Sequence, residues 1–152
     1  MGVVSDCPLY YPKDKLMNIL KDIKRHEGFR SRVYNDTLGI PTIGYGFAIK
    51  DLELDEDIAE LILIRKLADL QERISSTFNW FNNANEVVKD VVTNMCYQLG
   101  ISGFSKFKKT IYYLETEQYE EASIEMLDSL WHKQTPNRSK ELSEELRALA
   151  SN

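Results

Sequence analysis

The chain has 152 residues, 43% of them hydrophobic and 28% charged, and carries a net charge of −5. That balance describes one compact globular domain, or two small lobes sharing a core, and excludes a disordered or fibrous chain. The excess of carboxylates argues against a nucleic-acid partner, and no apolar run approaches the roughly 20 residues of a membrane span.

The opening residues MGVVSDCPLYYPKDK lack a basic segment followed by an apolar one, so no export signal is expected. Cys7 and Cys96 lie far apart in sequence and are expected as reduced thiols. No Cys/His pair has ligand spacing, and there are only two histidines, so no metal is expected.

In chain order, residues 13 to 27 place Leu16, Ile19, Leu20 and Ile23 at helical spacing, with Pro12 before them and Gly28 as the stop. Arg32 to Tyr34 and Ile40 to Tyr45 flank the polar turn Asn35-Asp36-Thr37-Leu38-Gly39 and read as a hairpin, with nothing after it resembling strand. Asp55 opens a helix to about Phe78 whose apolar side carries Ile58, Leu61, Ile62, Leu67, Leu70 and Ile74, spanning roughly 35 Å. A polar loop from Asn79 to Asn85 holds Trp80 and Phe81. Val87, Val88, Val91, Val92, Met95 and Leu99 then mark a strongly apolar helix closed by Gly100, the expected core of a second lobe. Further helices are expected at about 105 to 115, 117 to 132 and 137 to 149.

Chemistry concentrates at the first helix and the hairpin. Glu27 falls four residues after Ile23, on the apolar stripe, so its carboxylate is expected to face the interior or a cleft. It also ends the helix, where the partial negative charge disfavours a second one. Both effects favour the protonated form, which a general acid needs. Alone, such a residue is more often a glutamate paired with an arginine, and an isolated Asp36 is more often a turn former. The run Thr42-Ile43-Gly44-Tyr45-Gly46 lifts both: read as one strand, its glycines at alternate positions, Gly46 included, clear a face that keeps only backbone and the Thr42 hydroxyl. A sugar ring fits such a slot. Two carboxyls and a hydroxyl around it are the parts of a glycoside hydrolase.

Glu27-Gly28, Tyr34-Asn35-Asp36-Thr37 and Thr42-Ile43-Gly44-Tyr45-Gly46, in that order and spacing, resemble the catalytic motifs of the phage lysozymes of glycoside hydrolase family 24, in particular those of T-even phages. Asn94-Met95, Gln98, Gly100, Gly103, Phe107, and Trp131 with Gln134-Thr135-Pro136-Asn137-Arg138 resemble the second-lobe motifs, extending the likeness over roughly residues 16 to 145. The resemblance implies a mostly helical α+β fold with a small N-terminal β lobe (about 13–54), a connecting helix (about 55–78) and an all-helical lobe (about 79–152). It implies a monomeric muramidase that cuts the β-1,4 bond between N-acetylmuramic acid and N-acetylglucosamine in peptidoglycan, with no cofactor, no metal and no membrane insertion. By position, Glu27 would be the general acid, Asp36 would orient or activate the water, and Thr42 would help hold it. Tyr97 stands where the family has an aromatic glycan contact, equally readable as core, and Thr110 where it has a hydroxyl. Trp131 reads as core rather than a sugar platform. Arg138 matches an arginine that approaches the acid, which would lower the Glu27 pKa against the two effects above; the balance stays open, as does inversion or retention at the cut bond.

Departures are visible as well. Phe47 replaces a histidine common in relatives, and its counterpart in the second lobe reads as basic, Lys66. The segment Phe47 to Leu54 is short, so the sheet is expected to lack its last strand. Residues 1 to 12 have no family counterpart. The charge runs Lys106, Lys108, Lys109 and Lys133, Arg138, Lys140 read chiefly as solvated helix surface. The role implied is that of an endolysin made in the host cytoplasm and reaching the wall after another protein opens the membrane. The alternatives are a lytic transglycosylase, disfavoured by Asp36 and Thr42 occurring together, and a non-catalytic glycan-binding or tail-associated module.

Overall fold

The computed structural model describes residues 13–152; the expectations for residues 1–12, Cys7 included, lie outside them. The chain is mostly helical with one small sheet, the α+β class expected. Its elements are α1 (Lys13–Glu27), β1 (Arg30–Asn35), β2 (Pro41–Gly44), β3 (Phe47–Ala48), α2 (Glu56–Thr77), α3 (Glu86–Phe104), α4 (Lys108–Glu115), α5 (Tyr119–Glu125), α6 (Leu130–Gln134) and α7 (Pro136–Ala150). They form two compact units that divide between Ile62 and Leu63, inside α2.

In the first unit α1 stops at Gly28, which adopts φ +67° and returns its N–H to Lys24 O at 3.0 Å. That left-handed residue reverses the chain into β1, as glycine does after a helix. The sheet is antiparallel in the order β1-β2-β3, with Tyr34 opposite Thr42 and Ile43 opposite Phe47. Two expectations are corrected here. Residues 42–46 are not one strand: Gly44 and Gly46 take φ +69° and +77°, so Gly44-Tyr45-Gly46 turns the chain back on itself. A third strand therefore exists, only two residues long and too brief to show as a sequence pattern.

Among the described residues of the first unit no hydrophobic side chain is buried, and Thr42, 4% exposed, is the buried one. The expected inward face of α1 is thus exposed, and α2 buries Leu70 and Ile74 but not Ile58, Leu61 or Ile62. The core lies in the second unit. Val88, Val91, Val92 and Met95 form one face of α3 at helical spacing and join Phe104, Met126, Trp131 and Leu146. Asn85 caps α3 by accepting from Val87 N at 2.9 Å. Gly100 breaks the helix with φ 73° and ψ 161°, where a stop was expected.

The expected helix 117–132 is two helices. Three-residue backbone bonds from Leu127 N and Asp128 N end α5, and Ser129 caps α6 by accepting from His132 N at 3.1 Å. The helix expected from 105 begins instead at Lys108. Pro136 opens α7 at a first-turn position, where its missing N–H costs nothing.

Candidate active site

Glu27 is the last residue of α1, and its side chain is exposed, which corrects the expected burial: the apolar stripe that was to carry it inward is itself exposed. The carboxylate instead folds against the β2–β3 turn. A Cβ built on Gly46 would stand 2.5 Å from Glu27 Oε2 and 3.0 Å from Cδ, so only a glycine lets the turn and the acid lie this close. Gly44 serves a different purpose, since a Cβ there would strike the Phe47 ring at 2.8 Å.

Asp36 is half-buried at the start of the β1–β2 turn. Its Oδ1 accepts from Leu38 N at 2.8 Å and Ile40 N at 2.9 Å, while its own N–H donates to Ile40 O at 3.0 Å. Thr42 Oγ1 donates to the same Ile40 carbonyl at 2.9 Å. Asp36 and Thr42 are thereby fixed to one residue, Ile40, and through it to each other. Both amide bonds to the carboxylate fall on Oδ1, which leaves Oδ2 as the oxygen to receive a proton. The Thr42 proton is committed to the Ile40 carbonyl, so toward any third group the hydroxyl acts as an acceptor.

The second unit holds the remaining candidates in two places. Arg138 on α7 donates from Nε to Asn94 Oδ1 at 2.8 Å and from a terminal nitrogen to Asn94 O at 3.2 Å. Tyr97 lies one turn along α3 from Asn94 and is 51% exposed, which removes its reading as core. These three line a hollow of about 590 Å³ together with Leu63, Ile64 and Leu67. Thr110 is buried in α4 and lines a second hollow, about 560 Å³, beside Trp131 and Leu99, with Lys109 and Glu125 3.9 Å apart on its wall. Trp131 is core, as expected, and its Nε1 donates to Gln98 Oε1 at 2.9 Å. The sequence reading gave no role to Asn94, Gln98 or Ile40, which hold Arg138, Trp131 and the Asp36–Thr42 pair; the i, i+4 spacing of Asn94 and Gln98 on α3 was the available signal. Among the described residues no group of three His, Cys, Asp or Glu side chains is placed to hold a metal ion, and no helix is long and apolar enough to cross a membrane.

Residues 24–148 match the family described as "Phage lysozyme". The chain belongs to that family. As a phage lysozyme family member it is similar to "Probable T4-type lysozyme 2" of Dictyostelium discoideum, with 30% identity over 154 residues covering 82% of this chain and 91% of the relative. "Probable T4-type lysozyme 1" of the same organism is 28% identical with the same coverage. "Pre-baseplate central spike protein Gp5" of Enterobacteria phage T4 is 28% identical over 152 residues, covering 81% of this chain but 26% of that protein. The family match contains Glu27, Asp36, Thr42, Tyr97, Thr110 and Arg138 and begins within α1, leaving Lys13 to Ile23 outside it. Family and relatives together make this a lysozyme-like peptidoglycan hydrolase by descent.

Proposed function

We propose that this phage lysozyme family member is a muramidase that hydrolyses the β-1,4 bond between N-acetylmuramic acid and N-acetylglucosamine. The observation that carries the reading is the joint anchoring of Asp36 and Thr42 on Ile40. A water donating one hydrogen to Asp36 Oδ2 and the other to Thr42 Oγ1 would have a lone pair free for the anomeric carbon, and Asp36 would take its proton. Glu27 would protonate the leaving oxygen, with its carboxyl steadied against the Gly46 backbone. Tyr97 and Thr110 would contact the glycan.

In this reading the protein is a monomeric endolysin, synthesised in a phage host's cytoplasm and acting on the wall after another protein permeabilises the membrane. Mass spectrometry of digested wall tests the chemistry. Hydrolysis gives free reducing-end muramic acid. A product lighter by one water, the internal anhydro sugar, would assign the protein to the transglycosylases, and no product at all would assign it to the non-catalytic modules.

A further inference from the structure

Tyr45 lies between the two left-handed glycines of the β2–β3 turn, Gly44 and Gly46, and its ring is half-buried. Three side chains meet that ring. Phe29 is 5.4 Å away between centroids, Phe47 packs edge to face at 6.5 Å, and Lys24 Nζ stands over the ring face 5.4 Å from its centroid. Ring pairs and an ammonium over a ring attract at these separations.

The partners' places in the chain give the contacts their consequence. Lys24 comes three residues before Glu27, one turn back along α1, and Phe29 comes two residues after it, just before β1. One ring thus touches the chain on both sides of the acid, and the residue next to that ring, Gly46, touches the acid itself. The turn is braced from β3 as well. A Cβ on Gly44 would strike the Phe47 ring at 2.8 Å, so the bare glycine lets Phe47 close against the turn and reach Tyr45. All of these residues belong to the first unit.

We propose that Tyr45 is a positioning residue for the catalytic acid: its ring clasps the segment Lys24–Phe29 to the β2–β3 turn and so fixes the Glu27 carboxyl against Gly46. This role rests on the reading of Glu27 as the general acid. Proton delivery demands hydrogen-bond reach of the leaving oxygen, and a shift near 1 Å costs about 10²-fold in rate, so a loosened clasp acts on the chemical step rather than on glycan binding.

Steady-state cleavage of soluble glycan strands, free of peptide cross-links, separates the two. Tyr45→Leu keeps an apolar side chain without a ring face and should lower kcat at least about tenfold while KM stays within about twofold. Tyr45→Phe keeps the ring that makes all three contacts and should stay within about threefold of the parent. Lys24→Met leaves the turn untouched, removes the ammonium at an exposed position and should lower kcat about threefold. An unchanged kcat in Tyr45→Leu or in Lys24→Met would overturn the proposal, as would a loss in Tyr45→Phe equal to that in Tyr45→Leu.

The amide resonance of Gly46 gives a readout that needs no activity. Glu27→Gln should move it in the parent and in Tyr45→Phe, where carboxyl and turn are in contact, and should leave it nearly unmoved in Tyr45→Leu. An equal movement in Tyr45→Leu would show that the acid keeps its place without the ring, and would overturn the clasp. A parent that cleaves no glycan while the resonance behaves as expected would refute the muramidase reading and uphold the clasp.

Discussion

Glu27 rests against Gly46 so closely that a Cβ on the glycine would stand 2.5 Å from its Oε2. The acid's position is therefore set by what residue 46 lacks. Gly46→Ala must push the carboxylate aside and also hold alanine at φ +77°, a strain of about 1–2 kcal/mol. Wall clearing in a turbidity assay is expected to fall by about 10²-fold, because a displacement near 1 Å at a reacting group has that effect. Gly100→Ala is the control: its φ is +73°, yet nothing lies within 4 Å of its Cβ. It should lose comparable stability in a thermal melt and keep its activity per folded molecule.

Cys96 gives a pH prediction. Burial pushes its thiol from an ordinary 9.0 up to about 12. Between those values the unfolded chain releases the proton and the folded one retains it, so folding stability falls as pH rises, by about 1.4 kcal/mol per unit from this group. Below pH 9 both states are protonated and the effect vanishes. Urea midpoints measured from pH 8.5 to 10.5 should decline less steeply for Cys96→Ala than for the parent, after allowing for the variant's lower baseline from the lost side chain. The native thiol should also resist alkylation at pH 8 until the protein is unfolded.

Trp131 combines two contributions that mutation can separate. Its ring is 4% exposed within the core and meets Phe107 edge to face at 6.0 Å, and its Nε1 donates to the exposed Gln98. Trp131→Phe keeps an aromatic ring and loses the hydrogen bond, and Gln98 can turn to water instead, so the expected cost is about 1–2 kcal/mol. Trp131→Ala also leaves a cavity and should cost about 3–5 kcal/mol. Similar losses for the two variants in chemical denaturation would show that the hydrogen bond, not packing, dominates.

The second unit was legible in the sequence because its apolar residues repeat at a helical period and must all be buried: Val88, Val91, Val92 and Met95 mark α3, and Gly100 its break. The division between α5 and α6 was not, since both halves read as helix and Ser129 alone signals the restart. In the first unit the same periodicity misled. The α1 stripe is genuine, but a repeat of apolar residues states only that a face exists, not that it is covered. Glu27 inherited that error. The glycines at 44 and 46 fit a strand face as well as a turn, and only their positive φ separates the two. Arg138 and Asn94 stand 44 residues apart, with no local pattern joining them.

The final prediction separates the structural work of Asp36 from its chemistry. Asparagine at 36 keeps an oxygen in the Oδ1 position, able to accept from Leu38 N and Ile40 N, so the turn and the Ile40 anchor of Thr42 should persist. What it loses is an oxygen basic enough to take a proton from water. Asp36→Asn is therefore expected to melt close to the parent and to sediment with purified wall sacculi as well as the parent does, yet to clear the wall about 10² to 10⁴-fold more slowly. Thr42→Ser retains a hydroxyl that can donate to Ile40 O and should keep much of the activity. Thr42→Val offers no acceptor to the water and should lose most of it, while Ile40 O keeps its bond from Asp36 N and is not left unpaired. If Asp36→Asn clears the wall at the parent's rate, Asp36 is a turn former alone and the water must be activated by some other group.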